Sequence, residues 1–213
     1  MTTISLKHAM SAACAAQRTN GRYIKRHDAT QGELSNGALM REFLNPETEN
    51  FNILPQDIEI AEQICEYLDS KMIELIAGTL QEYWKTCVLL TEKKEFYVDD
   101  YRNLAVIASI PNSYENAVKR EQAVEKIALI GENSRHIGKI GDGFKGAVTI
   151  VSAVYSHNYG KWYHTAENDG NLISFPHTNR LENNKKISLT ARIYKHDDKN
   201  VTRLHYVRLE KSA

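Results

Sequence analysis

The chain has 213 residues, 42% of them hydrophobic and 25% charged, with 27 Lys/Arg balanced by 27 Asp/Glu. That length holds one large domain or two small ones, and the composition is that of a globular protein rather than a disordered or fibrous one. No apolar run approaches the roughly 20 residues needed to cross a bilayer, so a membrane partner is not expected.

The charge is uneven along the chain. Residues 142–213 hold 11 Lys/Arg against 7 Asp/Glu, a net +4, and residues 1–141 hold 16 against 20, a net −4. The asymmetry points to an anionic partner for the C-terminal part. Cys14, Cys65 and Cys87 are odd in number and lack CxxC spacing. Reduced, partly buried thiols are therefore expected, with neither disulfide nor zinc site. The Ala-rich stretch after Lys7 and His8 is too short and too weakly apolar for a secretory signal, so a cytoplasmic location is expected.

Residues 1–17 read as one short helix with Leu6, Met10 and Cys14 along one face. Residues 19–50 are rich in Gly, Asn, Thr and charge, and read as extended chain with one helical turn near 38–43. Within this segment Arg22, Lys25, Arg26 and His27 flank Tyr23 and Ile24. Such a group can hold phosphate and stack a base, although a solvated charged loop has the same composition. Residues 55–77 form the strongest predicted helix, with Pro55 in its first turn, Ala61, Ile64, Cys65, Leu68, Met72, Leu75 and Ile76 on one face, and Gly78 at its stop. A second helix carries Leu80, Tyr83, Trp84, Cys87 and Val88. A third spans 98–109 and stops ahead of Pro111, and a fourth runs from an N-cap at Ser113 to Gly131. Short connections make this a small helical bundle.

Residues 132–143 break both periodicities with Gly138, Gly141 and Gly143. A phosphate-binding loop needs a helix after it, whereas a strand pattern follows here, so a hinge or lead-in is the better reading. Five strands are then predicted, at 144–156, 161–167, 171–176, 187–196 and 201–209, with the one long connection after the third. The fold class is therefore α+β: an N-terminal helical region, 1–133, and a C-terminal five-stranded OB-like β-barrel, 134–213. In the first strand Val148 and Ile150 share one parity while Val151, Ala153 and Tyr155 take the other, which calls for a bulge. Asn168-Asp169-Gly170-Asn171 is a tight-turn signal. Ile187, Leu189, Ala191 and Ile193 alternate with Ser188, Thr190, Arg192 and Tyr194, so the first set faces the core. Leu204, Val207 and Leu209 cannot all face inward without another irregularity.

The run Ser134-Arg135-His136-Ile137-Gly138-Lys139-Ile140-Gly141-Asp142, the Asp169-Gly170-Asn171 turn and Ala191-Arg192-Ile193-Tyr194-Lys195-His196 together carry a resemblance. In their order they resemble an OB-like C-terminal module of bacteriophage replication-region proteins, and Asp100-Tyr101-Arg102-Asn103-Leu104-Ala105 resembles the helical segment that precedes it. The similarity covers about half the chain, from near Tyr101 to Leu209. Where such modules often end the third strand with Trp, this chain has Phe175 and Pro176. The resemblance implies a phage setting and DNA metabolism, in a host cell cytoplasm, and carries no catalytic residues.

Binding a single strand takes aromatic faces for bases and cations along the phosphates. The barrel sequence interleaves Tyr155, Tyr159, Trp162, Tyr163, Phe175, Tyr194 and Tyr206 with Lys145, Lys161, Arg192, Lys195, Lys199, Arg203 and Arg208. The expected contact set is Tyr159, Lys161, Trp162, Tyr163, Phe175, Arg192, Tyr194, Lys199 and Arg203. Alternation puts Trp162 and Tyr163 on opposite faces, one toward the core. The barrel histidines His157, His164, His177, His196 and His205 show no metal-ligand spacing, adjacent Asp99 and Asp100 suit a helix start rather than a carboxylate pair, and no catalytic motif is present. A non-catalytic binder of single-stranded DNA or RNA, without cofactor or metal, is the leading expectation. The alternative is an adaptor or inhibitor that uses the barrel to bind a host or replisome protein. Zero net charge favours the latter, since sequence-independent strand binders usually have a basic surface.

Overall fold

A computed structural model describes residues 3–45, 51–93 and 95–210. It divides the chain into two compact units, Met1–Ala117 and Val118–Ala213.

In the first unit, β1 (Thr3–Ser5) leads directly into α1 (Leu6–Asn20) and pairs antiparallel with β2 (Glu95–Tyr97). Ser5 caps α1 by accepting from the His8 N–H. Met10 and Cys14 are buried as the spacing predicts, but so are Ala9, Ala12, Ala13, Ala15 and Ala16. Small side chains allow neighbours to close on α1 from most sides, and α2 (Asn36–Leu44) and α3 (Pro55–Ser70) both pack on it. Asp57 in the first turn of α3 is buried. It takes Arg18 Nε and Nη2 at 2.9 and 3.0 Å and the Leu54 N–H at 2.8 Å, tying α1 to the start of α3.

Three expectations are revised in this unit. The segment 19–50 is more ordered than its composition suggests, up to Asn45; residues 46–50 lie outside the described residues. Its anchor is buried Asn36, whose Oδ1 accepts from Ile24 N–H and Asn20 Nδ2 while its Nδ2 donates to Gln17 Oε1. The predicted single turn at 38–43 is the nine-residue α2, capped by Ser35. The helix predicted at 55–77 divides at Lys71 into α3 and the short α4 (Met72–Ile76), which leaves Ile73 and Ile76 exposed. After α5 (Glu82–Thr91), the two helices expected on either side of Pro111 are one, α6 (Tyr101–Asn133). Proline removes one backbone bond from such a helix. Here Ile107, Ala108 and Ile110 are buried around it, and the Ser109 and Ser113 hydroxyls donate to the carbonyls of Val106 and Ser109. Burial of that face outweighs the lost bond.

The second unit contains the later part of α6 and the barrel. The strands are β3 (Gly143–Ser156), β4 (Lys161–Asn168), β5 (Asn171–His177), β6 (Lys186–His196) and β7 (Thr202–Leu209), each within about a residue of its predicted span. They close in the order β3-β4-β5-β7-β6, with β5 and β7 parallel and every other pair antiparallel. This is the OB-like five-stranded barrel. Phe144, Val148, Ile150, Ala166, Ile173, Phe175, Leu189, Ile193 and Leu204 fill it.

The expected irregularities are present. β3 slips register between Ile150 and Ser152, at the parity switch. Asp169 and Gly170 have φ of 47° and 78°, as a two-residue hairpin turn with positive φ at both central positions requires. In β7 a bulge places Tyr206 and Val207 opposite Ala191, which lets Leu204 and Val207 both pack inward. The lead-in is laced to two turns at once. Buried Ser134 accepts the Leu172 N–H and donates to the Asn200 carbonyl, while the Arg135 N–H reaches Asn171 Oδ1 and the Ile137 N–H reaches Thr202 Oγ1. Gly138 has φ +58°, and a β-carbon there would lie 2.8 Å from Ile193 Cδ1. Gly138 therefore serves close packing against β6, while Gly141 holds a turn at φ +97° with open space beside it.

Candidate nucleic-acid interface

Of the nine expected contact residues the strand register places four around the β3–β4 turn and two on the β6–β7 face, sets Lys199 and Arg203 at the β6–β7 turn, and buries Phe175. Phe175 shares inward parity with Ile173, is 1% exposed and stacks on His164 with centroids 5.3 Å apart. Its ring packs the barrel and offers no face to a ligand.

The first group surrounds the β3–β4 turn. Tyr159 and Tyr163 are exposed, with ring centroids 6.2 Å apart, and Lys161 is exposed beside them. Trp162 takes the opposite face from Tyr163, as alternation requires. It is half-buried between Tyr155, at 5.2 Å, and the Arg180 guanidinium, 5.3 Å from its ring. Arg180 comes from the long β5–β6 connection, where no periodicity marks it. It also lines a cleft of about 630 Å³ with Lys119, Lys126 and Glu182. Intramolecular partners thus occupy much of the Trp162 surface.

Below this group lies His164, buried, with Nε2 accepting from the Leu181 N–H at 3.1 Å. Nδ1 makes no hydrogen bond of ordinary geometry among the described residues. Burial pushes its pKa down to about 4, helped by His177 and only partly opposed by the Phe175 main chain. The ring is a neutral core element.

The second group lies on the outer face of β6 and β7. Tyr194 is 59% exposed and Tyr206 76% exposed. His205 sits between them, with ring centroids 5.1 Å from Tyr194 and 4.2 Å from Tyr206, so three rings form one continuous surface. Tyr194 faces outward by the alternation of β6, next to a register slip between Ile193 and Lys195, and the β7 bulge holds Tyr206 at φ +54°. A tyrosine in that region of φ is strained, and strain of this kind is retained where the structure gains something from the side chain's direction. Arg192 lies opposite His205 and Lys195 opposite Arg203 in the β6–β7 pairing. Arg192, Lys195 and Arg208 are exposed and make no ion pair among the described residues.

Two expected cations play a different part. Arg203 donates from Nε and Nη2 to Asp197 Oδ2 at 3.3 and 3.2 Å. Burial pushes the Asp197 pKa up, but the Val201 and Lys199 N–H groups and Arg203 outweigh it, so the carboxyl is held below its ordinary value. Asp197 thereby organises the β6–β7 turn, on which Lys199 is exposed. Arg203 is a structural cation first. His205 and Tyr206 are the residues the expected contact set lacks, although Tyr206 stands among the barrel aromatics of the sequence; the parity conflict among Leu204, Val207 and Leu209 is the signal of the bulge that exposes its ring.

Among the described residues there is no group of three or more His, Cys, Asp or Glu placed to hold a metal ion. Comparison with protein families, curated proteins and solved structures finds no match to this chain.

Proposed function

We propose that this protein binds single-stranded nucleic acid, DNA or RNA, on the outer β6–β7 face of its barrel, without catalysis, in phage replication, recombination or repair. The observation that carries the reading is the three-ring surface Tyr194–His205–Tyr206 bordered by the cations Arg192, Lys195 and Arg208, which make no ion pair among the described residues. Bases stack on exposed rings irrespective of sequence, while cations follow the phosphates. The barrel region's excess of basic residues has the matching sign.

Tyr194→Ala and Tyr206→Gly each remove one ring. Glycine at 206 accepts the positive φ without strain, so the second variant deletes the ring and preserves the bulge. Each should weaken binding of a single strand by about 1–3 kcal/mol, with little change in salt dependence. Arg192→Ala should instead lower the slope of log K against log salt by about one. If both ring variants bind as wild type does, this face is not the interface.

A second reading keeps the adaptor or inhibitor of a replisome or host protein but moves its docking from the barrel, where the sequence placed it, to Ile73 and Ile76, 77% and 81% exposed on α4. They lie three positions apart on one short helix, and adjacent exposed apolar side chains can seat a partner. Under that reading Ile73→Lys abolishes partner capture and the β6–β7 variants leave it intact.

A further inference from the structure

The basic cluster near Tyr23 is not on the barrel, and the folded first unit gives it a setting that its sequence does not show. A cavity of about 480 Å³ opens there. Lys25 and Arg26 reach it from the segment after α1, Arg41 from α2, and Tyr101 from the start of α6. Its floor is apolar, made by the buried side chains of Ile24 and Leu104. Among the described residues no carboxylate lines it.

Three cations around one cavity repel one another, and folding normally places an acid among them. Neighbouring ion pairs exist, but they involve other residues: Arg22 pairs with Glu33, and His27 lies against Asp28. Lys25, Arg26 and Arg41 have no ion pair among the described residues. Arg41 is held in place from two sides, its Nε donating to the Gly37 carbonyl at 3.2 Å and its guanidinium lying 4.9 Å from the Tyr101 ring. The Tyr101 ring is otherwise largely exposed. A fixed guanidinium that lacks a carboxylate partner, two further cations and an open aromatic face suit a ligand combining a multiply charged anion with a planar ring. The first turn of α2 opens into the same cavity, but Ser35 already caps it, so the side-chain cations carry the argument.

We propose that this cavity is a phosphate-binding site for a nucleotide, with Lys25, Arg26 and Arg41 on the phosphates and the base against Tyr101. The volume is within the range of small-molecule sites, and the charge balance is met by a di- or triphosphate. The phosphate of a free nucleotide and the 5′-phosphate of a strand end share this chemistry. The site is separate from the barrel face and stands whether or not the barrel binds nucleic acid.

The test is isothermal titration of the full chain with adenosine diphosphate, and separately with a short oligonucleotide carrying or lacking a 5′-phosphate. The charge-reversal variant Lys25→Glu/Arg26→Glu is compared with wild type. Both side chains are exposed, so reversal leaves the fold intact, which far-ultraviolet circular dichroism checks directly. The variant should weaken binding of the phosphorylated ligand by at least about tenfold. Loss with adenosine diphosphate identifies a free nucleotide, and loss only with the 5′-phosphorylated strand identifies a strand end. The barrel variant Tyr194→Ala should leave binding of adenosine diphosphate unchanged, and likewise the affinity difference between strands carrying and lacking the 5′-phosphate, even where it weakens strand binding as a whole; this separates failure of one site from failure of the other. Equal affinity of wild type and the reversed variant, or no heat from either ligand at millimolar concentration, overturns the proposal.

Discussion

Phe175→Ala should destabilise the barrel rather than weaken a ligand contact. The ring is enclosed by the core strands and stacks on His164, so its removal leaves a cavity that neighbouring side chains fill only in part. Large aromatic-to-alanine changes at such positions cost about 3–5 kcal/mol. A domain of this size has about 5–15 kcal/mol in all, so much of its margin goes. Denaturant unfolding gives the loss directly. Tyr163→Ala, on the outer face one residue from His164, serves as the control and should cost less than about 1 kcal/mol. A folded Phe175→Ala protein of near wild-type stability, with impaired strand binding, would mean that the ring faces a ligand after all.

Acid should destabilise the barrel through His164. Its Nε2 already accepts the Leu181 N–H, so protonation forces a donor against a donor in a buried place. The folded pKa is about 4, against the ordinary 6.5 recovered on unfolding. Between these values the unfolded chain binds the proton and the folded chain does not. The contribution is therefore fully present above pH 6.5, falls as the pH drops, and is gone below about 4. The difference amounts to about 3 kcal/mol. Hydrogen exchange of β4 and β5 amides in the full chain, followed from pH 7 to 4 after correction for intrinsic rates, reads it. His164→Phe keeps a ring against Phe175 and has nothing to protonate, so its pH dependence should flatten. An unchanged dependence in that variant would place the acid-sensitive group elsewhere.

The barrel was legible because its instructions are local. Asp169-Gly170 states its turn, Ile187 to Ile193 states its face, and the parity breaks at Val151 and before Val207 state their bulges. α6 was not legible, because a proline in a helix is a local signal overridden by burial of Ile107 and Ile110. The fate of Asn36 was hidden for a similar reason: its three side-chain hydrogen bonds run to residues 12 to 19 positions away. The candidate interface was half legible. Tyr194 and Arg192 follow from alternation, but Arg203 is claimed by Asp197 across a turn, and Phe175 by the core. The cavity of the first unit was written only as a basic stretch, since Arg41 and Tyr101 join it through the fold.

The most direct measurement of the central claim is a fluorescence-anisotropy titration of the wild-type chain with a labelled poly-dT strand at two salt concentrations. The three-ring face with its bordering cations predicts saturable binding at micromolar protein or below in low salt. It also predicts weaker binding in higher salt as counterions are released at the phosphates, and a stacking contribution that persists. No binding to single-stranded DNA or RNA at micromolar protein in low salt would contradict the account and leave the adaptor reading in its place.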